Sequence, residues 1–266
     1  MKKKNIPVEF VFELFALIIS IIVVHAFYVS VARPNAAQDI AEQAMVREQD
    51  PSAVQPRSMW VLIKDPEQES CFILMFWALA IMGYKSFVLR DQQRLLEVDL
   101  VPIAEGMRIL PEDSREFARQ VQALPPERQR LLLPRVLLNA LRRFATTRSI
   151  QDVADSTHTI CEAEADRLDS EMSMIRYILW AIPAIGFIGT VRGIGDALAQ
   201  ADKAVQGDIA GVTLSLGVAF NSTLIALLIG ILLMFLVHQL QLLQERLVLD
   251  VETYTDDKLI RHMRSD

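Results

Sequence analysis

The chain has 266 residues, of which 52% are hydrophobic and 23% charged, and its mean hydropathy is +0.28. That length makes one or two ordinary domains, and so much apolar content beside so much charge implies apolar blocks alternating with charged ones. A net charge of -6 and a pI near 5.3 argue against a general nucleic-acid binder, which carries a basic excess. Two cysteines, Cys71 and Cys161, build neither a disulfide framework nor a Cys-rich metal site.

A helix needs about 20 apolar residues to cross a hydrocarbon core of about 30 Å, and four stretches qualify. Residues 1–31 form the N-terminus and the first span, interrupted only by Ser20, His25 and Ser30 after Leu14. Lys2, Lys3 and Lys4 ahead of this run and Ser30, Val31 and Ala32 behind it also loosely fit a cleavable signal peptide. The run is long for one, however, and Glu9 and Glu13 are misplaced, so a retained helix is expected. Residues 32–70 make an outer loop with 4 Lys/Arg against 7 Asp/Glu. The second span is 71–89, with Lys85 near one end. Residues 90–174 read as a helical domain holding 12 arginines, with Pro111, Pro125, Pro126 and Pro134 as punctuation and no strand-like alternation. The third span is 175–198, followed by a short outer connection, 199–210. The fourth is 211–240; no Asp, Glu, Lys or Arg occurs in 209–244, which as one helix would extend roughly 54 Å and project beyond the bilayer. A helical tail, 241–266, ends the chain.

The Lys and Arg distribution sets the orientation. Lys2–Lys4, the arginines of 90–174 and Arg246, Lys258, Arg261 and Arg264 place both termini and the large loop in the cytoplasm. Cys71 and Cys161 then lie on opposite sides of the membrane and serve as small apolar residues. The expected fold is an all-α integral membrane protein whose four transmembrane helices extend into a cytoplasmic helical bundle.

No soluble active site is visible, and the expectation is a protein that is not an enzyme and needs no metal or cofactor. The four histidines are His25, His158, His238 and His262, and no H-E-x-x-H, G-x-x-x-x-G-K-[ST] or G-x-S-x-G pattern occurs. The distinctive residues lie in the last two spans. Membrane helices associate through small residues. The third span carries Pro183, Gly186, Thr190, Gly193 and Ala197 on one face, with Gly189 adding a GxxxG, and the fourth carries Gly211, Ser215, Ala219, Ser222, Ala226 and Gly230 along one seam. Close packing accounts for part of this pattern. Thr190 lies about 15 residues into its helix and Thr223 about 14 into an antiparallel one, counted along helices of 1.5 Å rise, so both fall near the bilayer midplane. A lone threonine there bonds its own i−4 carbonyl. Two at one depth, beside Asn221 and Ser222, favour a hydrated or polar interface, because an asparagine in lipid needs a partner or water. Arg192 and Asp196 form an i,i+4 pair, which reads either as a snorkelling arginine neutralised one turn later or as an outer gate.

The segments 182-IPAIGFIGTVRGIGDAL-198 and 214-LSLGVAFNSTLIALLIGI-231 resemble the signature helices of the MotA/TolQ/ExbB proton channel family. The likeness covers about 65 residues, and the four-helix plan with a large loop between the second and third spans resembles MotA. It implies that Thr190 and Thr223 line an ion path, and that a homopentamer surrounds two copies of a single-span partner similar to ExbD, TolR or MotB. The partner's membrane Asp carries H+ or Na+, and ion flow drives mechanical work. Three departures stand out: Val218 where the TolQ/ExbB branch carries a glutamate, Arg192 at the Trp position, and the 39-residue outer loop. A non-conducting scaffold or signalling anchor of the same fold is the alternative. A small-solute transporter with a helix broken near Pro183 and Gly186 is a third reading, weakened by the lack of an inverted repeat.

Overall fold

The computed structural model describes residues 8–49, 58–103 and 107–264. It is all-α, with no strand among these residues beyond an isolated bridge between Ile109 and Met263. The helices are α1 (Val8–Phe27), α2 (Arg33–Gln49), α3 (Met59–Ile63), α4 (Pro66–Leu96), α5 (Ser114–Gln122), α6 (Leu132–Thr147), α7 (Ile150–Ser170), α8 (Ser173–Leu198), α9 (Ala201–Val205) and α10 (Ala210–Lys258). Four helical stretches are long and apolar enough to cross a membrane: Glu9–Val46, Pro66–Leu96, Ile150–Leu198 and Ala210–His262. The chain divides into two compact units, Met1–Gly83 with Met174–Val237, and Tyr84–Ser173 with His238–Asp266.

In the first unit, α1 runs into α2 through a π-helical turn at Tyr28–Ala32. Ala16, Ser20, Val24, Tyr28, Ala32 and Ala36 are buried at every fourth position. At 3.6 residues per turn such a row drifts around the helix by about 40° per step. The wider π turn takes up part of that drift, so Val24, Tyr28 and Ala32 form one core with Trp60, Ile63, Phe72 and Ile73 packed against it. Much of the outer connection expected from hydropathy is thus helical in its described part: Arg33–Gln49 is too polar for a hydropathy signal, and α4 begins at Pro66. Trp77 Nε1 donates to the Glu13 carbonyl at 2.9 Å, tying α4 to α1.

In the second unit, α6 packs on α5 and α7. Its buried face, Val136, Leu137, Ala140, Leu141 and Phe144, is the apolar stripe of the sequence, and Arg142 and Arg143 stay exposed on the other side. Ser149 caps α7, its Oγ accepting the Asp152 N–H at 3.2 Å. Ser149→Ala is expected to lower the stability of this unit by about 1 kcal/mol, measured by chemical unfolding of the purified protein. Between α7 and α8 the helix is interrupted only at Glu171 and Met172. Glu171 accepts Lys85 Nζ at 3.2 Å. The buried Glu164 carboxylate accepts Arg135 Nη2 and Arg167 Nη2, both at 2.6 Å. Burial raises the pKa of that carboxyl, but the two arginines outweigh it and hold it below the usual carboxylate range. Cys71 and Cys161 fall in different units, each buried and unpaired, and burial pushes the Cys161 thiol up to about 11.

Candidate functional site

In the first unit, α8 and the 210–237 part of α10 pack along the small-residue faces, and glycines set their separation. A methyl added at Gly193 would sit 2.7 Å from the Ala219 amide and the Ser215 carbonyl; one at Gly189 would sit 2.5 Å from Ser222 Cβ; one at Gly186 would collide with Ala226 Cβ. Gly195 and Gly217, off this seam, have nothing within 4 Å. Pro183 stands beside Gly230, on an apolar groove with Leu179, Leu227 and Ile231.

The close approach brings Thr190 and Thr223 together. Their hydroxyls hydrogen-bond to each other; Thr190 Oγ1 also lies 3.1 Å from the Ala219 carbonyl, and Thr223 Oγ1 3.1 Å from the Gly186 carbonyl. Each hydroxyl has one proton and two lone pairs. If both donate to carbonyls, or if one donates to the other, acceptor capacity remains for a cation or a water. Ser222, 1% exposed, donates to the Val218 carbonyl at 2.9 Å and accepts from Gln68 Nε2 at 3.3 Å. Asn221 is half-buried, and its side chain makes no hydrogen bond among the described residues.

Arg192 does not pair with Asp196. Its Nε and Nη2 donate to the two Glu67 carboxylate oxygens at 2.6 and 2.7 Å, while Asp196 is exposed. An i,i+4 pair with the cation N-terminal to the anion is the weaker order on a helix, whereas Glu67 offers a planar two-point match to the guanidinium. Glu67 belongs to a group that hydropathy places in the outer loop, 32–70, and that the structure places in α4. Three consecutive buried residues of the first turn of α4 reach three directions: Glu67 to Arg192 of α8, Gln68 to Ser222 of α10, and Glu69 to His25 Nδ1 of α1 and Arg33 Nη2 of α2, both at 2.6 Å. The available signal was two acids in the first turn of a helix, where the positive end of the dipole favours them. The bonds of Glu67 to Arg192 and of Gln68 to Ser222 put the threonine pair near the level of the first turn of α4. Among the described residues no group of three His, Cys, Asp or Glu is placed to hold a metal.

Residues 128–253 match the sequence profile of the MotA/TolQ/ExbB proton channel family. No curated protein and no solved structure gives a match. The matched segment contains the whole seam, with Thr190, Arg192 and Thr223, and excludes Glu67, Gln68 and Glu69.

Proposed function

Through residues 128–253 the chain belongs to the MotA/TolQ/ExbB proton channel family, and from that premise we propose that it is the stator-like channel subunit of a membrane motor driven by a proton or sodium gradient. The family is one of proton channels, not an enzyme class, and the four apolar helical stretches fit a multi-pass membrane protein. The observation that carries the proposal is the paired hydroxyls of Thr190 and Thr223, within the matched segment and held at one level by the glycine seam. In this reading five copies surround two single-span partners in a bacterial inner membrane, with both termini and 90–174 cytoplasmic. The partner contributes the ion-carrying Asp, and the threonine oxygens solvate the H+ or Na+ that passes. No cofactor is required.

The test is ion flux in proteoliposomes holding the complex with its co-expressed partner, with native mass spectrometry confirming five copies of the 30.0 kDa chain and two of the partner. Thr190→Val and Thr223→Val keep the side-chain shape and remove the hydroxyl. A hydrogen bond to a charged species is worth about 1.5–3 kcal/mol, so each variant is expected to lower flux by about 10- to 100-fold with assembly intact. The scaffold reading is favoured by Val218, at the position where the TolQ/ExbB branch carries a glutamate, together with the mutual bonding of the two hydroxyls. Wild-type assemblies that pass no ions, or valine variants with unaltered function, would establish that reading instead.

A further inference from the structure

The α8–α10 seam has a charge problem that it does not solve itself. Residues 209–244 contain no charged side chain, and in 177–198 the charges are Arg192 and Asp196. Asp196 is exposed and makes no ion pair with Arg192; it and Asp65 act on the guanidinium only at a distance, so α8 offers no anion in contact with the charge two residues beyond Thr190. The anion comes from elsewhere in sequence, 125 residues away on α4. The Glu67 carboxylate is buried, with its side chain 10% exposed, whereas that of Arg192 is 41% exposed. The stem of Glu67 lies against the seam: its Cγ would be 3.2 Å from a methyl on Gly189, at the point where that methyl would also meet Ser222 Oγ at 2.6 Å.

The geometry points to Glu67 as a selectivity-determining residue: by neutralising Arg192 at the outer end of the threonine seam, it keeps that approach open to cations. This inference rests on the channel reading above. Arg192 is 41% exposed, so its charge reaches an approaching cation over a screening length, roughly 10 Å at 0.1 M salt, and is open to screening. Left bare, Arg192 repels an approaching H+ or Na+; paired, it contributes almost no net charge. The residue acts through Arg192, as a positioning group, and the chemistry asks only that the carboxylate be charged and within reach of the guanidinium. Glu67 lies outside the segment shared with the family, so the device belongs to this chain's own outer elements.

The experiment compares ion flux through wild type, Glu67→Gln, Arg192→Gln and the double variant, each reconstituted with the partner and checked for assembly by native mass spectrometry. The glutamine of Glu67→Gln keeps an oxygen that accepts from Arg192, so packing is largely retained while the charge is lost. Expected are a loss of about tenfold in cation flux for Glu67→Gln, flux at or above wild type for Arg192→Gln, and recovery to wild type in the double variant. The Glu67→Gln deficit should also shrink between 0.1 and 1 M salt, as the screening length falls from about 10 to about 3 Å. A merely structural pair gives the opposite pattern, with both single variants and the double reduced together and no effect of salt, and overturns the inference. Where Glu67→Gln fails to assemble, Arg192→Gln alone decides: flux at or above wild type supports the inference, and reduced flux overturns it. Wild-type complexes that assemble but pass no ions overturn the channel reading and this inference with it, an outcome distinct from a conducting wild type with uniformly impaired variants.

Discussion

Gly193→Val is expected to yield no assembled complex, whereas Gly195→Val, two residues on, assembles like wild type. The side chain at 193 would be pressed onto backbone atoms, the Ala219 amide and the Ser215 carbonyl at 2.7 Å, and cannot be relieved by a rotamer change. The helices must move apart, and the Thr190 bond to the Ala219 carbonyl at 3.1 Å is lost with them. In lipid no hydrophobic drive rejoins them, since their association depends on close packing and interhelical hydrogen bonds. Helix propensity works against this outcome, because replacing glycine inside a helix favours helix formation. A loss of assembly therefore reports the seam alone. Gly193→Ala already places the offending Cβ and should show the same defect in milder form. Size-exclusion chromatography with native mass spectrometry reads all three variants, and normal assembly of Gly193→Val would show that α8 and α10 do not approach this closely.

The double variant Arg135→Met, Arg167→Met is expected to reverse the sign of a pH dependence. In the wild type the Glu164 carboxyl titrates below its ordinary value because the two guanidiniums outweigh burial. A depressed carboxyl contributes stability that is complete above the unfolded-state value, about 4.3, and is lost as pH falls through the folded-state value. With both arginines gone only burial acts, and it moves the carboxyl the other way. The variant then gains stability as the solution is acidified and loses it as pH rises from about 4.3 through the raised value. At pH 7 it should be less stable than wild type by about 3 kcal/mol. That is the low end of what an uncompensated buried charge costs, because both arginines are half-exposed and water can follow them in. Unfolding midpoints across about pH 3–7 give the slopes, the wild type's below about 4.3 and the variant's above it, and Glu164→Gln should remove this contribution in either background. Parallel slopes in wild type and double variant would mean that Glu164 does not titrate in this window.

Several parts of this molecule can be read without coordinates because they follow from one-dimensional rules. Apolar runs long enough for a bilayer mark the four spans, since lipid leaves the backbone few alternatives. The steps of three and four among Gly186, Thr190, Gly193 and Ala197 mark the face of α8 that packs, and counting residues along two antiparallel helices is enough to bring Thr190 and Thr223 together. What escaped has partners far off in sequence. Glu67, Gln68 and Glu69 look like the polar edge of an outer loop, and nothing local says that they are buried. Helix spacing pairs Arg192 with Asp196, its i,i+4 neighbour, whereas the carboxylate it bonds is Glu67 on another helix. Counting residues within α8 and α10 does not show that the first turn of α4 meets them beside the threonine pair. The π turn at Tyr28–Ala32 leaves no hydropathy trace, because it changes the phase of the buried row and not its composition.

The three-way grip of the first turn of α4 also sets a timetable for synthesis. The partners of Glu69, His25 and Arg33, precede it in the chain and are already made when it emerges. Glu67 must wait for Arg192, 125 residues later, and Gln68 for Ser222, 154 residues later. At about 5–20 residues per second those intervals are about 6–25 s and about 8–31 s. During that time a carboxylate and an amide destined for burial are without these partners. The first two spans are thus able to join early through Glu69, but the turn closes fully only after the third and then the fourth have been delivered, which makes the arrival of α10 the step that completes the subunit.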